Sequence, residues 1–472
     1  MHEPDRPLWT SAEIVAATGG QLVGPDFASN GITYNSREIG PGDLFLAFQG
    51  ARDGHEFAGG AFASGATGAL VERPVEGGSC VVVGDTLKAL EAMGIFARDR
   101  SPARRGAVTG SVGKTSVTQA IKAGLDLASR LDGGAAHASI KSYNNHIGVP
   151  LTLARMPAAT TRAVFEIGMN APGEIGPLSR MVRPHAACVT TVGPVHIEGF
   201  SDGETGVARE KAAIFEGLVP GGIAVINGDN PWQPLLSDAA TAQGATIVRF
   251  GSAQGHEARL LSFEPGPKGA RVRADIQGRI HDFTLSQSGV HWGLNSLAVI
   301  LMLEALGVPV EAALAALADF QPLAGRGQIQ TVRVPGGAFT LIDESYNANT
   351  LSMRAGFLSL GARTIAPGGR RMLVLSDMLE LGDQARALHE GLAETVATAG
   401  LDLVHAAGPQ MRHLYDALPP EQRGLWAETA ADLATHAAEL AGPGDIVMVK
   451  GSNGSKASLV AKALAALDGN ER

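Results

Sequence analysis

Short apolar runs alternate with amphipathic segments through the middle of the chain. From residue 107 to about residue 320, runs rich in valine and isoleucine are separated by segments with helical periodicity. They include RAVFEIGM, AACVTTVG, GIAVINGD and ATIVRF. Strands that are apolar along their whole length are typical of parallel sheets buried on both faces. The pattern therefore predicts repeated βα units around a parallel sheet.

The segment before residue 107 contains its own, smaller set of elements. Thr10 and Glu13 form a capping box for a helix that Gly19-Gly20 ends. Apolar strand-like runs follow at 31–34, 44–48, 68–71 and 80–83. A further helix is predicted over 85–99. The Ser-Pro pair in SPARRG (101–106) breaks helices, so we interpret this segment as a linker between domains.

The alternation of apolar runs with helical segments stops after residue 256 and resumes after residue 322. ARVRADI and IHDFTLS flank Gln277-Gly278 and predict an antiparallel hairpin, and helices at about 291–306 and 310–319 close the domain. After residue 322, FTLIDES, RMLVLSD, LDLVHAAG and DIVMVKGS alternate with predicted helices from about 350, near 383–398, near 429–440 and from about 455. This part has the outline of a dinucleotide-binding fold without GxGxxG. We predict an α/β protein with three domains, 1–103, 104–322 and 323–472.

Composition and charge narrow the classes of function. The chain has 472 residues, 45% hydrophobic and 18% charged, and a formal net charge of −9, without a long basic run. Nucleic acid and anionic membranes are therefore not expected partners. The apolar runs fall short of the roughly 18 residues of a membrane span, so we expect a soluble, cytoplasmic protein. The oligomeric state is open, with a monomer as the default. Cys80 and Cys188 lie in apolar runs and are expected to be buried free thiols.

The strongest motif is TGSVGKTS, from Thr109 to Ser116. An apolar lead-in precedes it and a helical run follows, so glycines would turn the backbone and aim helix N–H groups at an anion. The six-residue phosphate loop has a glycine where this chain has Val108, which leaves the shorter GxxGKT. We predict nucleotide phosphate binding by Gly110, Ser111, Val112, Gly113, Lys114, Thr115 and Ser116. Lys114 would reach the outer phosphates and the Thr115 hydroxyl would bind Mg²⁺.

Polar residues just after predicted strands are further candidates, because ligands of open α/β sheets bind beyond the carboxyl ends of the strands. Glu166 stands at the end of an apolar strand and needs a cation or donors. His196 follows the next strand and could bind a metal or a phosphate, although an ordinary loop histidine is the open alternative. Lys211 lies on a predicted helix, where a solvated lysine is the default.

Three polar segments remain ambiguous from their residues alone. SYNNHIGVP (142–150), which contains Asn144 and Asn145, is either a turn-rich loop or a substrate-contacting loop. In GVHWGLNSLAVI, His291 and Asn295 share one helical face and either cap the helix or face a nucleotide base. IDESYNANT (342–350) is either a ligand-facing cluster or an Asx-turn before a helix.

These segments together resemble the Mur ligases over nearly the whole chain. The resemblance is carried by GSVGKTS, SYNNHIGVP, FEIGMNAPGEI, HIEGF, REKAAIF, GVHWGLNS, the Gly-Arg pair at 325–326, IDESYNAN, LSDMLELG and VKGSNGSK. NSRE, PGDLFLAFQG and DGHEF fit the family's first domain. Trp292 stands where family members usually have asparagine, so we expect a differently shaped adenine side.

The resemblance implies a role for individual residues. Lys114 would contact ATP phosphates and Thr115 would bind Mg²⁺, while Glu166, His196 and a carbamylated Lys211 would support a second Mg²⁺. The further ATP contacts would be Asn295, Arg326 and Asp343. The substrate contacts would be Ser36, Arg37, Asp53, Gly54, His55, Asn144, Asn145, Tyr346 and Asn347, with the first five on the uridine-nucleotide side.

Within the family, SYNAN and GMNAPGEI are the discriminating segments. They imply ATP-dependent ligation of D-alanyl-D-alanine to UDP-N-acetylmuramoyl-tripeptide through an acyl phosphate. The sister ligase that adds the third amino acid normally has a YAHTPD-type sequence in place of SYNANT. A folylpolyglutamate-type ligase would lack the uridine-nucleotide module. In a different class, a P-loop NTPase switch would hydrolyse ATP without any acceptor.

Overall fold

The computed structural model describes residues 6–50, 52–140, 142–195, 197–266, 269–287 and 289–469. The first unit contains β1 (Trp9–Thr10), α1 (Ser11–Thr18), β2 (Gln21–Val23), β3 (Ala28–Ser29), β4 (Gly31–Thr33), β5 (Asp43–Leu46), α2 (Ala58–Ala63), β6 (Gly68–Val71), β7 (Cys80–Val82) and α3 (Thr86–Asp99). Its main sheet has the order β2-β7-β6-β5-β4 and is parallel except for β2. The predicted capping box of Thr10 and Glu13 is confirmed.

The central unit is built on a nine-stranded sheet. Its elements are β8 (Arg104–Thr109), α4 (Lys114–Asp132), β9 (Ala136–Ala138), α5 (Gly148–Ala154), β10 (Arg162–Glu166), α6 (Ile175–Val182), β11 (Ala186–Val189), α7 (Glu204–Ala212), β12 (Ile223–Asn227), α8 (Gln233–Ala242), β13 (Thr246–Gly251), β14 (Ala258–Gly266), β15 (Gly269–Ile276), β16 (Arg279–Leu285), α9 (His291–Ala305) and α10 (Val310–Asp319). The order is β16-β15-β14-β13-β12-β11-β8-β10-β9, parallel from β9 to β14. The three strands β14, β15 and β16 are antiparallel, which confirms the predicted hairpin.

Both faces of this sheet are buried, as its apolar strands predict. Val108 of β8 packs in a cluster with residues of α4, α9 and α10, whereas its neighbour Ala107 packs with residues of α5, α6, α7 and α8. Consecutive residues of a strand point to opposite faces, so one apolar strand serves two cores. Cys188 is buried as a free thiol in the first cluster, and Cys80 is buried in the first unit.

The third unit is also an α/β structure, built on a six-stranded sheet. Its elements are β17 (Gln328–Val334), β18 (Gly337–Glu344), α11 (Thr350–Gly361), β19 (Arg371–Ser376), α12 (Ala385–Glu390), α13 (Ala393–Thr398), β20 (Leu403–Ala407), α14 (Met411–Ala417), β21 (Arg423–Ala427), α15 (Ala430–Ala434), α16 (Ala437–Leu440), β22 (Ile446–Lys450) and α17 (Ala457–Ala465). The sheet order is β17-β18-β22-β19-β20-β21, and β17 alone pairs antiparallel. The predicted α/β class is confirmed, while the exact domain boundaries stay predictions.

Several local predictions were wrong. The linker predicted over 101–106 is shorter, because Arg104 already begins β8 and pairs with Arg162 of β10. The predicted helix that carries Lys211 keeps α-geometry only to Ala212 and continues as a 3-10 turn. Each long helix predicted near 383–398 and 429–440 is two short helices.

The first and central units are joined by side chains that donate to backbone carbonyls. Trp9 Nε1 donates to the Ala154 oxygen at 2.8 Å, and Arg98 Nη1 donates to the Met181 oxygen at 2.7 Å. Within the described residues, the helices are all too short or too polar to cross a membrane.

Candidate active site

The predicted phosphate loop connects β8 to α4. Gly110 has φ 147° and Gly113 has φ 89°, and both values favour glycine. A Cβ on Gly110 would lie 2.0 Å from Thr190 Oγ1, so only glycine fits there. The helix α4 begins at Lys114 without a side-chain cap, which leaves its first N–H groups aimed at the turn. The strand, turn and helix predicted from TGSVGKTS are therefore confirmed.

Lys114 lies folded over this loop. Its Nζ donates to the Gly110 carbonyl at 2.7 Å. Burial lowers its pKa below the ordinary lysine value, the nearby Glu166 carboxylate opposes that shift, and the Arg326 guanidinium adds to it. An anion at the loop would provide the Lys114 ammonium with a stronger partner than a carbonyl.

Glu166 is the last residue of β10 and lies level with Val108 of β8. Its side chain is buried, with 1% of the residue exposed. Oε1 accepts from Asn144 Nδ2 at 2.6 Å, whereas the buried Oε2 has no hydrogen-bond partner among the described residues. A buried carboxylate oxygen without a donor is costly unless a cation binds it.

The donor set beside Glu166 suits Mg²⁺. Thr115, at the start of α4, is buried, and its Oγ1 lies 3.5 Å from Ser142 Oγ. Carboxylate and hydroxyl oxygens are the ligands that this ion prefers. Among the described residues, no three histidine, cysteine or acidic side chains cluster as ligands of a metal ion. His196 lies outside the described residues, so its predicted metal role stays a prediction.

Lys211 is not the solvated helical lysine that its position alone would indicate. It lies on α7 and is 1% exposed. Burial lowers its pKa well below the ordinary lysine value, the nearby Lys114 charge lowers it further, and Glu210 opposes both. These shifts favour the neutral amine, which is the form that reacts with electrophiles such as CO₂.

The third unit reaches the phosphate loop through Arg326 and Tyr346. The Arg326 guanidinium stacks on the Tyr346 ring at 4.0 Å. Arg326 Nη2 and the Tyr346 hydroxyl donate to Ser142 Oγ at 3.0 and 3.1 Å. The structure thus brings together predicted residues from two units that are far apart in sequence.

Asp343, predicted to contact ATP, has partners within its own unit. One carboxylate oxygen accepts from the Gly325 N–H at 2.9 Å, and the other accepts from the Ser345 N–H and hydroxyl. Asp343 therefore fixes the backbone that carries Arg326. Asn347, predicted to contact substrate, is exposed, and its carbonyl accepts from Lys450 Nζ at 3.2 Å.

Lys450 forms a buried ion pair beside this cluster. Its Nζ lies 3.0 Å from Glu344 Oε2. Burial opposes the charged form of Glu344, but Lys450, His291 and Arg326 together lower its pKa. Because His291 begins α9 of the central unit, this pair lies where the two units face each other.

Asn144, Asn145 and Asn295 occupy different places. Asn144 binds Glu166, as described above, while Asn145 Oδ1 accepts from the Gly148 N–H at 2.9 Å and so caps the start of α5. Asn145 therefore has the turn-forming role that was one of the two alternatives for this segment. The Asn295 amide lies against the phosphate loop, where a Cβ on Gly113 would come within 3.5 Å of it.

The residues predicted on the uridine-nucleotide side lie in the first unit. His55 is buried, its Nδ1 lies 2.6 Å from Asp53 Oδ1, and its Nε2 accepts from the Glu72 N–H at 2.8 Å. Gly54 fits closely, because a Cβ there would lie 2.6 Å from the Phe48 carbonyl oxygen. Asp53 and His55 thus stabilise their own loop through contacts within the first unit.

Ser36 and Arg37 follow β4 in an open loop. Arg37 is exposed and its backbone N–H donates to Asn35 Oδ1 at 3.2 Å. Contact of Ser36 and Arg37 with a substrate stays a prediction.

Comparison with known proteins agrees with this arrangement. Family models match in three places: "Mur ligase family, catalytic domain" at residues 28–91, "Mur ligase middle domain" at 108–303 and "Mur ligase, glutamate ligase domain" at 325–453. A UDP-N-acetylmuramoyl-tripeptide--D-alanyl-D-alanine ligase from Rickettsia prowazekii is 30% identical, over 95% of this chain and 98% of its own. The chain belongs to the Mur ligase family.

Other Mur ligases extend the likeness. The Escherichia coli ligase of the same name is 33% identical over 85% of this chain and 86% of its own. A crystal structure of MurF from Acinetobacter baumannii has a TM-score of 0.83 and 27% identity, covering 97% of this chain and 98% of that one. MurF from Thermotoga maritima in complex with ADP shares the fold, with a TM-score of 0.76, 22% identity and coverage of 93% and 97%.

In this Mur ligase the expected effect of Trp292 on the adenine side stays a prediction, and two contacting residues were not singled out from the sequence. Trp292, expected to reshape the adenine side, is 3% exposed and packs on Phe320 with ring centroids 5.6 Å apart. It therefore belongs to the core. Lys450 and Ser142 were not singled out from the sequence, although Lys450 could have been found because it ends the apolar run DIVMVK.

Proposed function

We propose that this chain is an ATP-dependent amide ligase that joins D-alanyl-D-alanine to UDP-N-acetylmuramoyl-tripeptide. The observation that carries the proposal is the buried, unpartnered Glu166 oxygen beside Lys114 at a phosphate loop, in a chain similar over 95% of its length to a ligase of that name. The reaction would take place in the cytoplasm, on a monomer with domains 1–103, 104–322 and 323–472.

The reaction needs an activated carboxylate, because a carboxylate is a poor electrophile at neutral pH. The terminal carboxylate oxygen of the tripeptide attacks the γ-phosphorus of ATP, ADP leaves, and an acyl phosphate forms. The D-alanyl-D-alanine amine then attacks the acyl carbon, inorganic phosphate leaves, and the nitrogen loses a proton. Negative charge gathers on phosphate oxygens in the first step and on the acyl oxygen in the second.

The residues of this chain fit those charges. The N–H groups from Gly110 to Ser116 would surround the β- and γ-phosphates, and Lys114 would leave the Gly110 carbonyl to bind them. Thr115 would hold one Mg²⁺, and Glu166 and His196 would hold a second. When bound, Mg²⁺ supplies charge neutralisation at the phosphates. Arg326 and Asn295 would contact ATP from the opposite side.

Lys211 would act as a carbamate. The direction of its pKa shift favours the neutral amine, whose nitrogen can attack CO₂ and release a proton, which leaves a carboxylate-like pair of oxygens. Such a group would support a second Mg²⁺ where Glu166 alone leaves one oxygen unpartnered. The charge of the carbamate would also complement Lys114.

The third unit would close over ATP once the nucleotide is bound. Arg326 and Tyr346 already contact the central unit near Thr115, and Asp343 fixes the turn that carries Arg326. Closure excludes water and so protects an acyl phosphate from hydrolysis. Ser36, Arg37 and the Asp53–His55 loop would hold the uridine-nucleotide end of the substrate.

An assay of ADP release tests the function. The wild-type chain should release ADP rapidly only when the tripeptide nucleotide and D-alanyl-D-alanine are both present, at one ADP per amide formed. Equal ADP release without either co-substrate would instead indicate an NTPase switch. Turnover with the dipeptide nucleotide and a single amino acid would indicate the sister ligase.

A further inference from the structure

The segment from Ser142 to Asn144 contacts all three units of the molecule. Tyr143 faces the first unit, where its ring centroid lies 6.4 Å from that of Tyr34. Asn144 binds Glu166 of the central unit. Ser142 accepts hydrogen bonds from Arg326 and Tyr346 of the third unit. Three consecutive residues therefore lie at the junction of the whole protein.

The hydrogen bonds of Ser142 have a definite direction. A guanidinium can only donate, so Ser142 Oγ accepts from Arg326 Nη2, and the Tyr346 hydroxyl donates to the same oxygen. Both lone pairs of Ser142 Oγ are then engaged, and its own proton remains. After the Tyr346 hydroxyl, the next hydroxyl oxygen is Thr115 Oγ1, at 3.5 Å. The Ser142 proton, which neither donor of the third unit uses, is therefore available for a hydrogen bond to Thr115 at the start of α4.

We propose that Ser142 is a positioning residue that couples the approach of the third unit to the Thr115 hydroxyl. This inference rests on the proposed function, in which Thr115 holds the Mg²⁺ of Mg·ATP. A threonine oxygen that binds a cation through one lone pair can still accept a hydrogen bond through the other. Ser142 fixes the orientation of that oxygen only when Arg326 and Tyr346 hold Ser142 in place.

Removing the Ser142 hydroxyl should leave the stack of Arg326 on Tyr346 intact but remove the hydrogen bonds of both residues to Ser142. In Ser142→Ala, Arg326 and Tyr346 keep their mutual stack at 4.0 Å and lose their shared acceptor. We expect the KM for ATP to rise about tenfold, because a lost hydrogen bond to a charged group has an effect of that size. The KM for D-alanyl-D-alanine should change less than twofold. A general folding defect would not separate the two constants.

The experiment measures Mg·nucleotide binding and closure without the other substrates. A non-hydrolysable ATP analogue is titrated by calorimetry across Mg²⁺ concentrations into wild type, Ser142→Ala, Ser142→Thr and Tyr346→Phe. Ser142→Ala should need several-fold more Mg²⁺ for half-maximal binding, and Ser142→Thr, which keeps the hydroxyl, should restore it. The double variant with Tyr346→Phe should be non-additive, because both changes break one network.

The outcomes separate this inference from the proposed function. If the wild type does not bind the Mg·analogue at all, the proposed function fails together with the inference. If the wild type binds it and Ser142→Ala binds with the same Mg²⁺ dependence, the inference alone is overturned. Failure of Ser142→Thr to restore binding would also overturn it, provided that both variants unfold at the wild-type temperature.

Discussion

At the scale of single residues, Glu166 is a buried and Lys114 a half-buried charged group that a bound ligand would neutralise. Glu166 has one partner, Asn144, and one buried oxygen without any described partner. Lys114 is held by a carbonyl of its own loop. Both groups are oriented before any ligand binds, which reduces the reorganisation that phosphoryl transfer would otherwise need.

The first prediction concerns Glu166→Gln. The amide has the same shape and keeps the Asn144 contact, but it lacks the charge that a cation needs. We expect kcat/KM to fall by about 100-fold or more, with thermal stability near that of the wild type because a buried charge has been removed. Steady-state kinetics and thermal unfolding check this. Glu264→Gln, on an exposed position of β14, is the matched control. Activity within threefold of wild type would contradict the role of Glu166.

The second prediction concerns Lys211→Ala. Loss of the carbamate oxygens should abolish ligation, and short carboxylic acids such as acetate should restore part of it by occupying the same space. Lys211→Arg should not be rescued, because arginine fills the space with a charge of the wrong sign. The measurement is ADP release against acetate concentration. Full activity in Lys211→Ala without any additive would exclude the carbamate.

At the scale of elements, a side chain takes the place of a backbone hydrogen bond between the strands β20 and β21. Their register shifts between Val404 and Ala406. At that irregularity, His405 Nδ1 accepts from the Leu425 N–H at 2.9 Å. Gly424 allows the close approach, since a Cβ there would lie 2.6 Å from His405 Nδ1. The edge strand β21 therefore depends on an unprotonated ring.

The third prediction is a loss of stability in acid. Burial, with help from Arg370, lowers the pKa of His405 to about 4, below its ordinary value of 6.5. The unfolded chain therefore binds the proton first, so stability is complete above pH 6.5 and falls as the pH drops toward 4. The loss from this residue should reach roughly 3 kcal/mol.

Urea unfolding at pH 7 and pH 5 checks the prediction. His405→Gln keeps an acceptor oxygen but does not titrate, so its midpoint should fall less between the two pH values. The protection factor of the Leu425 amide against hydrogen exchange should fall in acid in the wild type. An equal pH dependence in both proteins would show that His405 is not responsible.

At the scale of the whole molecule, the three units are joined in two different ways. Trp9 and Arg98 of the first unit donate to backbone carbonyls of the central unit. The third unit meets the central unit through polar side chains of Arg326, Tyr346 and the Glu344 region. Polar contacts of this kind can break and form again during closure, whereas a buried tryptophan joint favours a fixed pair of units.

The sequence predicted what depends on neighbouring residues. TGSVGKTS defines strand, turn and helix within one short segment, and the capping box of Thr10 and Glu13 is equally local. The Ser142 contacts join positions 184 and 204 residues apart, so no local pattern could indicate them. The helix predicted near 383–398 failed because its periodicity continues across Gly391, where the chain breaks the helix.

The sequence pattern also did not predict the burial of Lys211 and Trp292. A lysine in REKAAIF and a tryptophan in GVHWGLNS both lie on helices whose faces are set by tertiary packing. Periodicity gave no indication that Lys211 is buried near the charge of Lys114, and only the resemblance to the Mur ligases singled it out. Family patterns and physical patterns therefore contributed different parts of the site.

The central claim is that the peptide carboxylate takes the γ-phosphoryl group of ATP before the amide forms. The most direct test uses tripeptide nucleotide with ¹⁸O in its terminal carboxylate, together with ATP and D-alanyl-D-alanine. Mass spectrometry of the released inorganic phosphate should find one ¹⁸O atom for each amide formed, because the acyl phosphate transfers a carboxylate oxygen to phosphorus. Phosphate without the label, released at the rate of amide formation, would contradict the account.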